Sequence, residues 1–306
     1  MHDPREYYEP FPDAPSKSIE NRHGARVSYT VMGDGPRAVM LANGLGARLY
    51  AWAPLVRALL PAHRIITWDY RGLFDSTAPE RRRHLSVVDH AEDAVAILDA
   101  EGIEAAVFCG WSMGVQVSLE ATTLHPERVK GLVLLNGTYG QVFSTGFQPV
   151  LRLPFVSNLE HAAVEFVMER RPIARAIERI APAMVHPIAG LFWLATDADV
   201  PTMRRMLRRY TREVFGETTF PHYLQLFQEL DAHSVLHHLK HIEQPALVIS
   251  GAWDVLTPPY QSEIIARRLP NATHLRLSRA SHFALMEQPR VVVPAVETFL
   301  STRVAW

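Results

Sequence analysis

Residues 105–124 read AAVFCGWSMGVQVSLEATTL, which is an apolar run, a turn and a helix-like segment in direct succession. The run Ala105–Cys109 is typical of a buried strand, and the stretch from Met113 to about Leu124 is typical of a helix. The turn between them, Gly110-Trp111-Ser112-Met113-Gly114, has the form G-x-S-x-G in the strand–turn–helix setting that this motif requires. Its glycines let strand and helix approach, and its strained backbone projects the serine hydroxyl. The sequence therefore predicts that Ser112 is a nucleophile.

A base and an acid for this serine follow further along the chain. A serine hydroxyl is a weak nucleophile until a base takes its proton, and an acid must orient that base. Asp254 comes just after the apolar run Leu247–Ser250, and His282 comes just after the run His274–Leu277. Open α/β sheets build their sites beyond the carboxyl ends of their strands, so we expect these side chains to meet there. The sequence predicts a catalytic triad of Ser112, Asp254 and His282.

Short apolar runs alternate with helix-like segments along most of the chain, which predicts an α/β fold with a mostly parallel sheet. Between Gly137 and about Glu243 the strand pattern stops, and helical segments interrupted by prolines replace it. We therefore expect one sheet domain that is interrupted by a helical module lying over it. The other predicted strands are Val27–Met32, Ala38–Ala42, Arg64–Trp68 and Val129–Leu135, and the other predicted helices cover about 51–60 and 87–100.

Three further segments resemble one known family. They are Asn43-Gly44-Leu45-Gly46, Asp69-Tyr70-Arg71-Gly72 and His125-Pro126-Glu127-Arg128-Val129. With the Ser112 motif, they make the chain similar to the α/β-hydrolase superfamily from about residue 18 to residue 303. The resemblance implies an eight-stranded, mostly parallel sheet flanked by helices, with an inserted helical cap. It implies an N-terminal extension at 1–17, a hydrolase core at 18–137 and 243–306, and a cap at 138–242.

The resemblance also implies an oxyanion hole formed by the backbone N–H groups of Leu45 and Met113. Asn43 stands where the family usually has a histidine, but its amide can also make the hydrogen bonds that shape this loop. Val115 and the turn Leu73–Ser76 replace more glycine-rich stretches. These departures remove no catalytic atom, so we expect the hole to form.

Within the superfamily, the stretch from Gly110 to Val129 looks most like carboxylesterases and small methyl-ester hydrolases. This favours a serine hydrolase without a cofactor that cleaves a small carboxylic ester. Trp111 and Phe283 flank the predicted catalytic residues and are candidates to bind the substrate. Nine more aromatic residues in the predicted cap region favour an apolar acyl group. They are Phe143, Phe147, Phe155, Phe166, Phe192, Trp193, Phe215, Phe220 and Phe227.

Other reactions of the same triad stay open at this stage. Thioester hydrolysis, acyl transfer, perhydrolysis and C–C bond hydrolysis all fit the motifs. A ligand receptor with little turnover also fits, because a fold alone does not exclude it. A serine at 112 argues against dehalogenase or epoxide hydrolase chemistry, which uses a carboxylate in relatives. The sequence leaves open the acyl length, the alcohol, the stereopreference and the oligomeric state.

Composition and cysteine content exclude some partners. The 306 residues contain 31 Lys and Arg against 32 Asp and Glu, for a net charge of -1, so the basic excess typical of nucleic-acid binding is missing. The single cysteine, Cys109, ends an apolar run, which favours an inert core thiol and a reducing compartment. The sequence contains no uninterrupted apolar run of about 18 residues. We therefore expect no membrane insertion and a cytoplasmic location.

The sequence also offers a rival metal site and rival positions for the acid. His233, His237 and His241 lie four residues apart and would share one face of a helix, but the spacing places no acidic or thiolate fourth ligand beside them. We expect no metal site. Asp69 precedes the nucleophile, and we expect it to hold Arg71 in its turn. Asn136, after the sixth strand, occupies a position where some relatives carry their acid, and an amide cannot serve as one.

Overall fold

The computed structural model describes residues 15–81, 84–141, 196–215 and 220–306, together with five single positions between 166 and 180. Within these ranges, eight strands form one sheet in the order β1-β2-β4-β3-β5-β6-β7-β8. Only the β1/β2 and β2/β4 pairs are antiparallel, so the sheet is mostly parallel as predicted. The strands are β1 Ser16–Glu20, β2 Arg26–Met32, β3 Arg37–Ala42, β4 His63–Trp68, β5 Ala106–Trp111, β6 Val129–Leu135, β7 Ala246–Gly251 and β8 Ala272–Leu277.

Helices connect the parallel strands and cover both faces of the sheet. The helices predicted at 87–100 and 113–124 are confirmed with these bounds. In order, the described helices are α1 Ala53–Leu59, α2 Val87–Ala100, α3 Met113–Leu124, α4 Val200–Phe215, α5 Phe220–Ala232, α6 Pro259–Arg268, α7 Ala284–Glu287 and α8 Pro289–Thr302. Helices α4 and α5 lie in the predicted cap, whose bounds at 138 and 242 remain a prediction.

The order of the strands places a crevice between β3 and β5. After β3 the chain crosses to β4 on one side, and it then returns to place β5 on the other side of β3. The connections that leave the carboxyl ends of β3 and β5 therefore diverge, which opens a cleft at this edge. The loop Asn43–Gly46 leaves β3 at the cleft, and Ser112 leaves β5 beside it.

Two apolar layers hold the helices to the sheet. One layer buries α2 and α3 against residues such as Met40 and Phe108, and the other buries α1 and α8 against residues such as Leu41 and Cys109. Neighbours in one strand thus point to opposite layers, as the pleat of a strand requires. Because both faces are covered, β5 is buried along its whole length.

The lone cysteine has the environment that the sequence indicates. Cys109 is fully buried in β5, and burial raises the pKa of its thiol. A thiol in that environment stays protonated and unreactive, which supports the prediction of an inert core residue.

The first strand is not predicted by the sequence pattern. β1 pairs Ser16–Glu20 with residues 26–30 of β2, and it begins inside the predicted N-terminal extension of residues 1–17. Its side chains are mostly exposed, so the strand carries little of the apolar alternation by which strands are found. Within the described ranges, every helix is too short or too polar to cross a lipid bilayer.

Candidate active site

Ser112 occupies the sharp turn between β5 and α3. Its backbone has φ 56° and ψ -117°, a conformation that is strained for a residue with a side chain. A hydrogen bond from the Ser112 N–H to the Leu135 carbonyl, at 3.0 Å, holds the turn in place. Trp111 and Met113 are buried on either side, whereas Ser112 is partly exposed. The turn therefore presents the serine hydroxyl at the cleft.

The two glycines of the motif are needed for close packing. A Cβ on Gly110 would overlap the carbonyl of Gly114, and a Cβ on Gly114 would overlap the carbonyl of Ala42 and lie 3.0 Å from that of Asn43. All three obstacles are backbone atoms, which cannot rotate away as a side chain can. The start of α3 thus lies directly against the end of β3.

The carboxylate of Asp254 is buried and surrounded by donors. The backbone N–H groups of Leu256 and Thr257 donate to Oδ1 at 3.0 and 2.9 Å, and the Asn136 amide donates to Oδ2 at 2.9 Å. The Thr257 hydroxyl lies 2.8 Å from Oδ2 and 2.7 Å from the carbonyl of Asn136, so its one proton goes to one of them. This arrangement fixes the carboxylate in one orientation.

His282 is hydrogen-bonded to that carboxylate. Its Nδ1 lies 3.1 and 3.0 Å from Oδ1 and Oδ2 of Asp254, while the Thr257 hydroxyl is 3.2 Å from the same nitrogen. A carboxylate accepts only, so Nδ1 carries the hydrogen and Nε2 is left as the basic nitrogen. The structure thus unites two members of the predicted triad directly.

Trp111 joins the base to the Ser112 turn. Its indole Nε1–H donates to the carbonyl of His282 at 2.8 Å, and its ring lies 5.5 Å from the imidazole and 5.7 Å from the ring of Phe283. The sequence predicts that Trp111 and Phe283 bind substrate. Behind them lies an apolar cavity of about 10 Å³, which is the size of a single water. Trp111 and Phe283 therefore both contact His282. That they contact the substrate stays a prediction.

The loop that carries His282 has a buried acidic anchor. Ser281 donates its backbone N–H and its hydroxyl to Glu287, at 2.5 and 2.6 Å. Burial raises the pKa of Glu287, which these two hydrogen bonds oppose. The anchor ties the residue before His282 to the short helix α7 that follows it.

Asn43 shapes the loop after β3 as expected. Its Nδ2 donates to the Thr67 hydroxyl at 3.1 Å and to the Trp68 carbonyl at 2.8 Å, and its Oδ1 accepts from Trp52 at 2.9 Å. The Tyr70 hydroxyl donates to the Asn43 carbonyl at 2.7 Å. All these partners are buried, so the loop is fixed from beneath.

Helices α4 and α5 of the predicted cap region contact the same loop. The Tyr210 hydroxyl on α4 donates to the carbonyl of Leu45 at 3.1 Å and lies 3.0 Å from the hydroxyl of Tyr223 on α5. Gly46 has φ 72°, and a Cβ there would lie 2.7 Å from Val214 and 2.9 Å from Tyr223. Helices α4 and α5 therefore pack directly on the predicted oxyanion loop.

The prediction that Asp69 holds Arg71 is wrong. Asp69 pairs with Arg48, at 2.8 Å, and burial raises the pKa of Asp69 to about 6 despite this partner. Arg71 turns inward instead, to Asp93 at 2.6 Å and Asp89 at 2.9 Å. The reason is that α2 presents these two carboxylates one turn apart on its buried face, where they neutralise a buried guanidinium.

The three spaced histidines do not share a helix face, because α5 ends at Ala232. Both ring nitrogens of His233 already face partners, Gln116 at 2.8 Å and Glu120 at 3.0 Å. A separate group, His23, His84 and Asp89, has ligand atoms within 4.8 Å of one another. Arg71 already donates to Asp89 there, so a cation would meet a guanidinium.

Several supporting residues are missed at the sequence level. The sequence indicates at position 136 only the absence of an acid, yet Asn136 donates to Asp254. Asp254 carries a usable signal, because an Asp side chain often accepts from backbone N–H groups two or three residues further on, as it does here from Leu256 and Thr257. Tyr210 and Glu287 carry no local signal, since their partners come from distant or unpatterned segments.

Comparisons with known proteins agree with this architecture. Residues 37–159 match the model of a family described as the alpha/beta hydrolase fold. The chain has the α/β-hydrolase fold. One relative of this chain is the Caulobacter segnis protein named as a carbamate hydrolase, RutD, at 27% identity over 87% of this chain and 92% of that protein.

One further relative and one solved structure are similar to this chain. A protein named 3-oxoadipate enol-lactonase 1, from Acinetobacter baylyi, is 25% identical over 93% of this chain and 96% of its own length. The solved structure of an esterase from Exiguobacterium antarcticum superposes with a TM-score of 0.74, covering 94% of this chain and 100% of the esterase. At 16% identity that structure speaks for the fold alone.

Proposed function

We propose that this chain is a serine hydrolase that cleaves a small carboxylic ester through an acyl-enzyme intermediate. The observation that carries the proposal is the buried pair of Asp254 and His282, hydrogen-bonded at 3.0 Å, beside a serine in a strained turn. The Ser112 hydroxyl attacks the ester carbonyl carbon and its proton passes to Nε2 of His282. The donors around Asp254 keep its carboxylate oriented, so it stabilises the imidazolium that forms.

The backbone N–H groups of Leu45 and Met113 stabilise the negative charge that forms on the former carbonyl oxygen. Met113 is the first residue of α3, where helical N–H groups have no partner inside the helix and the helix dipole favours an anion. Leu45 lies on the loop that Asn43 and Tyr210 hold on both sides. Fixed donors of this kind stabilise the oxyanion without reorganising during the reaction.

The intermediate then breaks down in two steps. The tetrahedral species collapses, and the departing alkoxide takes the proton from His282, which leaves an acyl group on Ser112. A water molecule attacks the acyl carbonyl while His282 accepts its proton. The second tetrahedral species then collapses with cleavage of the bond between the carbonyl carbon and Ser112 Oγ, and His282 returns the proton to Oγ, which releases the carboxylic acid and restores Ser112. No step requires a cofactor.

An apolar acyl group fits the part of the cap that is described. Phe215 and Phe220 pack with ring centroids 5.1 Å apart, and Phe220 stacks beside Tyr223, which contacts Gly46. Apolar side chains thus continue from the cap to the oxyanion loop. The other cap aromatics, apart from Phe166 and Phe227, lie outside the described residues.

The names of two relatives specify substrates that are chemically close to an ester. Carbamates and enol-lactones, which the names of two relatives specify, both present a carbonyl to a serine. Thioester hydrolysis, acyl transfer, perhydrolysis and C–C hydrolysis use the same triad, and a receptor with little turnover is the remaining alternative. The ester is preferred because the stretch from Gly110 to Val129 resembles that of carboxylesterases. The cytoplasmic location stays a prediction from the sequence.

A series of p-nitrophenyl esters tests the proposal. We expect a burst of one p-nitrophenol per chain, then turnover that rises from acetate to longer acyl chains, with Ser112→Ala inactive. An aryl carbamate, an enol-lactone and a thioester run in parallel rank the alternatives by kcat/KM. A burst without turnover would favour the receptor, and a carbamate or lactone at least tenfold better than every ester would replace the substrate proposal.

A further inference from the structure

Asn136 is the residue that follows β6, and it is completely buried. Its backbone has φ 46°, in the left-handed region that asparagine tolerates better than most residues with a side chain. Its N–H donates to the carbonyl of Ile249 in β7 at 2.8 Å. The backbone is thus held so that the side chain starts between the loops that follow β7 and β8.

The two N–H groups of the Asn136 side chain connect those two loops. Nδ2 donates to Oδ2 of Asp254 at 2.9 Å and to the carbonyl of Ser281 at 3.0 Å. Ser281 directly precedes His282, and its own N–H and hydroxyl are held by Glu287. One amide therefore contacts the acid itself and the peptide that carries the base.

This arrangement leaves another part of the same side chain unpaired. Among the described residues, Oδ1 of Asn136 has no hydrogen-bond partner although it is buried. A buried acceptor without a partner and a positive φ are both unfavourable for folding. A residue selected only for stability would avoid both, so the two donor bonds of Nδ2 account for an asparagine at this position.

We propose that Asn136 is a positioning residue that sets the distance and orientation between Asp254 and His282. The proposal rests on the proposed function, because it assigns a role within the same triad. When His282 takes the serine proton, the imidazolium is stabilised only if the carboxylate stays aligned with Nδ1. The amide prevents Oδ2 from rotating away and keeps the His282 loop from receding.

The sharpest test replaces the Asn136 amide NH₂, which donates, by a carboxylate oxygen of the same shape, which accepts. In Asn136→Asp a second carboxylate oxygen faces Oδ2 of Asp254 at about the distance of the lost hydrogen bond. Two carboxylates that close share one proton, whose pKa lies well above that of an isolated carboxyl. The other titratable groups around them are His282, which bonds Asp254, and Glu287, whose pKa the Asp254 charge helps to raise.

The carboxyl group introduced by this change can donate to Asp254 while it is protonated, as the amide did, whereas its ionised form repels Asp254. We therefore expect Asn136→Asp to lose about a hundredfold in kcat at pH 8, and to recover at least tenfold relative to wild type as the pH falls to 6. The measurement is kcat and KM for p-nitrophenyl acetate from pH 5.5 to 9, normalised to active sites titrated by the burst. A merely structural defect would lower the fraction of active chains and leave this ratio independent of pH.

Asn21→Asp is the matched control, because Asn21 also donates to a buried carboxylate, Asp93, at 3.2 Å. We expect it to keep kcat within twofold at every pH. Should Asn136→Asp not fold, Asn136→Ala decides: kcat falls at least tenfold with KM within threefold, at a ratio that does not change with pH.

Two results overturn the proposal. One is an Asn136→Asp to wild-type ratio that is constant with pH, and the other is an Asn136→Ala variant within twofold of wild-type kcat. Ser112→Ala and His282→Ala, measured in the same series, test the proposed function separately. If Ser112→Ala and His282→Ala are inactive while the Asn136 variants keep the wild-type kcat at every pH, only the positioning role fails.

Discussion

Gly114→Ala sets two known effects against each other. Gly114 is the second residue of α3, where alanine favours the helix by about 1 kcal/mol over glycine. The added Cβ, however, overlaps the carbonyl of Ala42 and comes within 3.0 Å of that of Asn43. Overpacking of this kind costs about 1 to 3 kcal/mol, and backbone atoms relieve it only by moving the chain. We expect a net loss of up to about 2 kcal/mol.

The displacement should harm activity more than stability. Asn43 begins the loop that carries Leu45, so a shift of about 1 Å misaligns the predicted oxyanion donor and lowers kcat/KM about a hundredfold. Urea unfolding and the hydrolysis of p-nitrophenyl acetate measure the two effects. Gly102→Ala is the control, because its φ is 64° but a Cβ there meets nothing within 4 Å. It should lose stability and keep its activity. A Gly114→Ala protein that is as stable and as active as wild type would refute the reasoning.

Two further variants test buried polar groups. Burial lowers the pKa of His90 to about 3, below the ordinary value near 6.5. Between these two pH values the unfolded chain binds a proton on this residue and the folded chain does not, so the free energy of unfolding falls as the pH falls. The free energy of unfolding of wild type should fall by about 2 kcal/mol between about pH 6.5 and pH 5 because of this residue. In His90→Phe, urea unfolding should show a smaller decrease over the same pH range. An equal decrease in both proteins would contradict the assignment. Tyr210→Phe removes the hydroxyl that holds the Leu45 carbonyl, and should lower kcat several-fold at nearly unchanged KM, whereas Tyr29→Phe, which loses a bond to Glu101 far from the site, should not.

The local features of this chain could be predicted from its sequence. Helices α2 and α3 have the predicted bounds because the apolar periodicity of a helix acts within a few residues. The strands before Ser112 and Asp254 follow for the same reason, since buried parallel strands are short apolar runs, whereas β8 before His282 lies at the sheet edge and is mostly exposed or half-buried.

The partners of buried charges could not be predicted. Arg71 pairs with Asp89 and Asp93 rather than with its neighbour Asp69, because the fold turns its side chain toward α2. Asn136 and Asp254 are 118 residues apart, and only the adjacency of β6 and β7 brings them together. Such contacts depend on strand order, which single-sequence periodicity does not encode.

Labelling with a fluorophosphonate probe tests directly whether Ser112 is the nucleophile, because only an activated serine reacts readily with it. We expect one adduct per chain, mapped by mass spectrometry to the peptide containing Ser112, with loss of ester hydrolysis in step with labelling. Ser112→Ala should take up no probe and keep less than about a thousandth of the wild-type kcat/KM. An adduct on another residue, or a Ser112→Ala protein that still hydrolyses the ester, would contradict the assignment of Ser112 as the nucleophile.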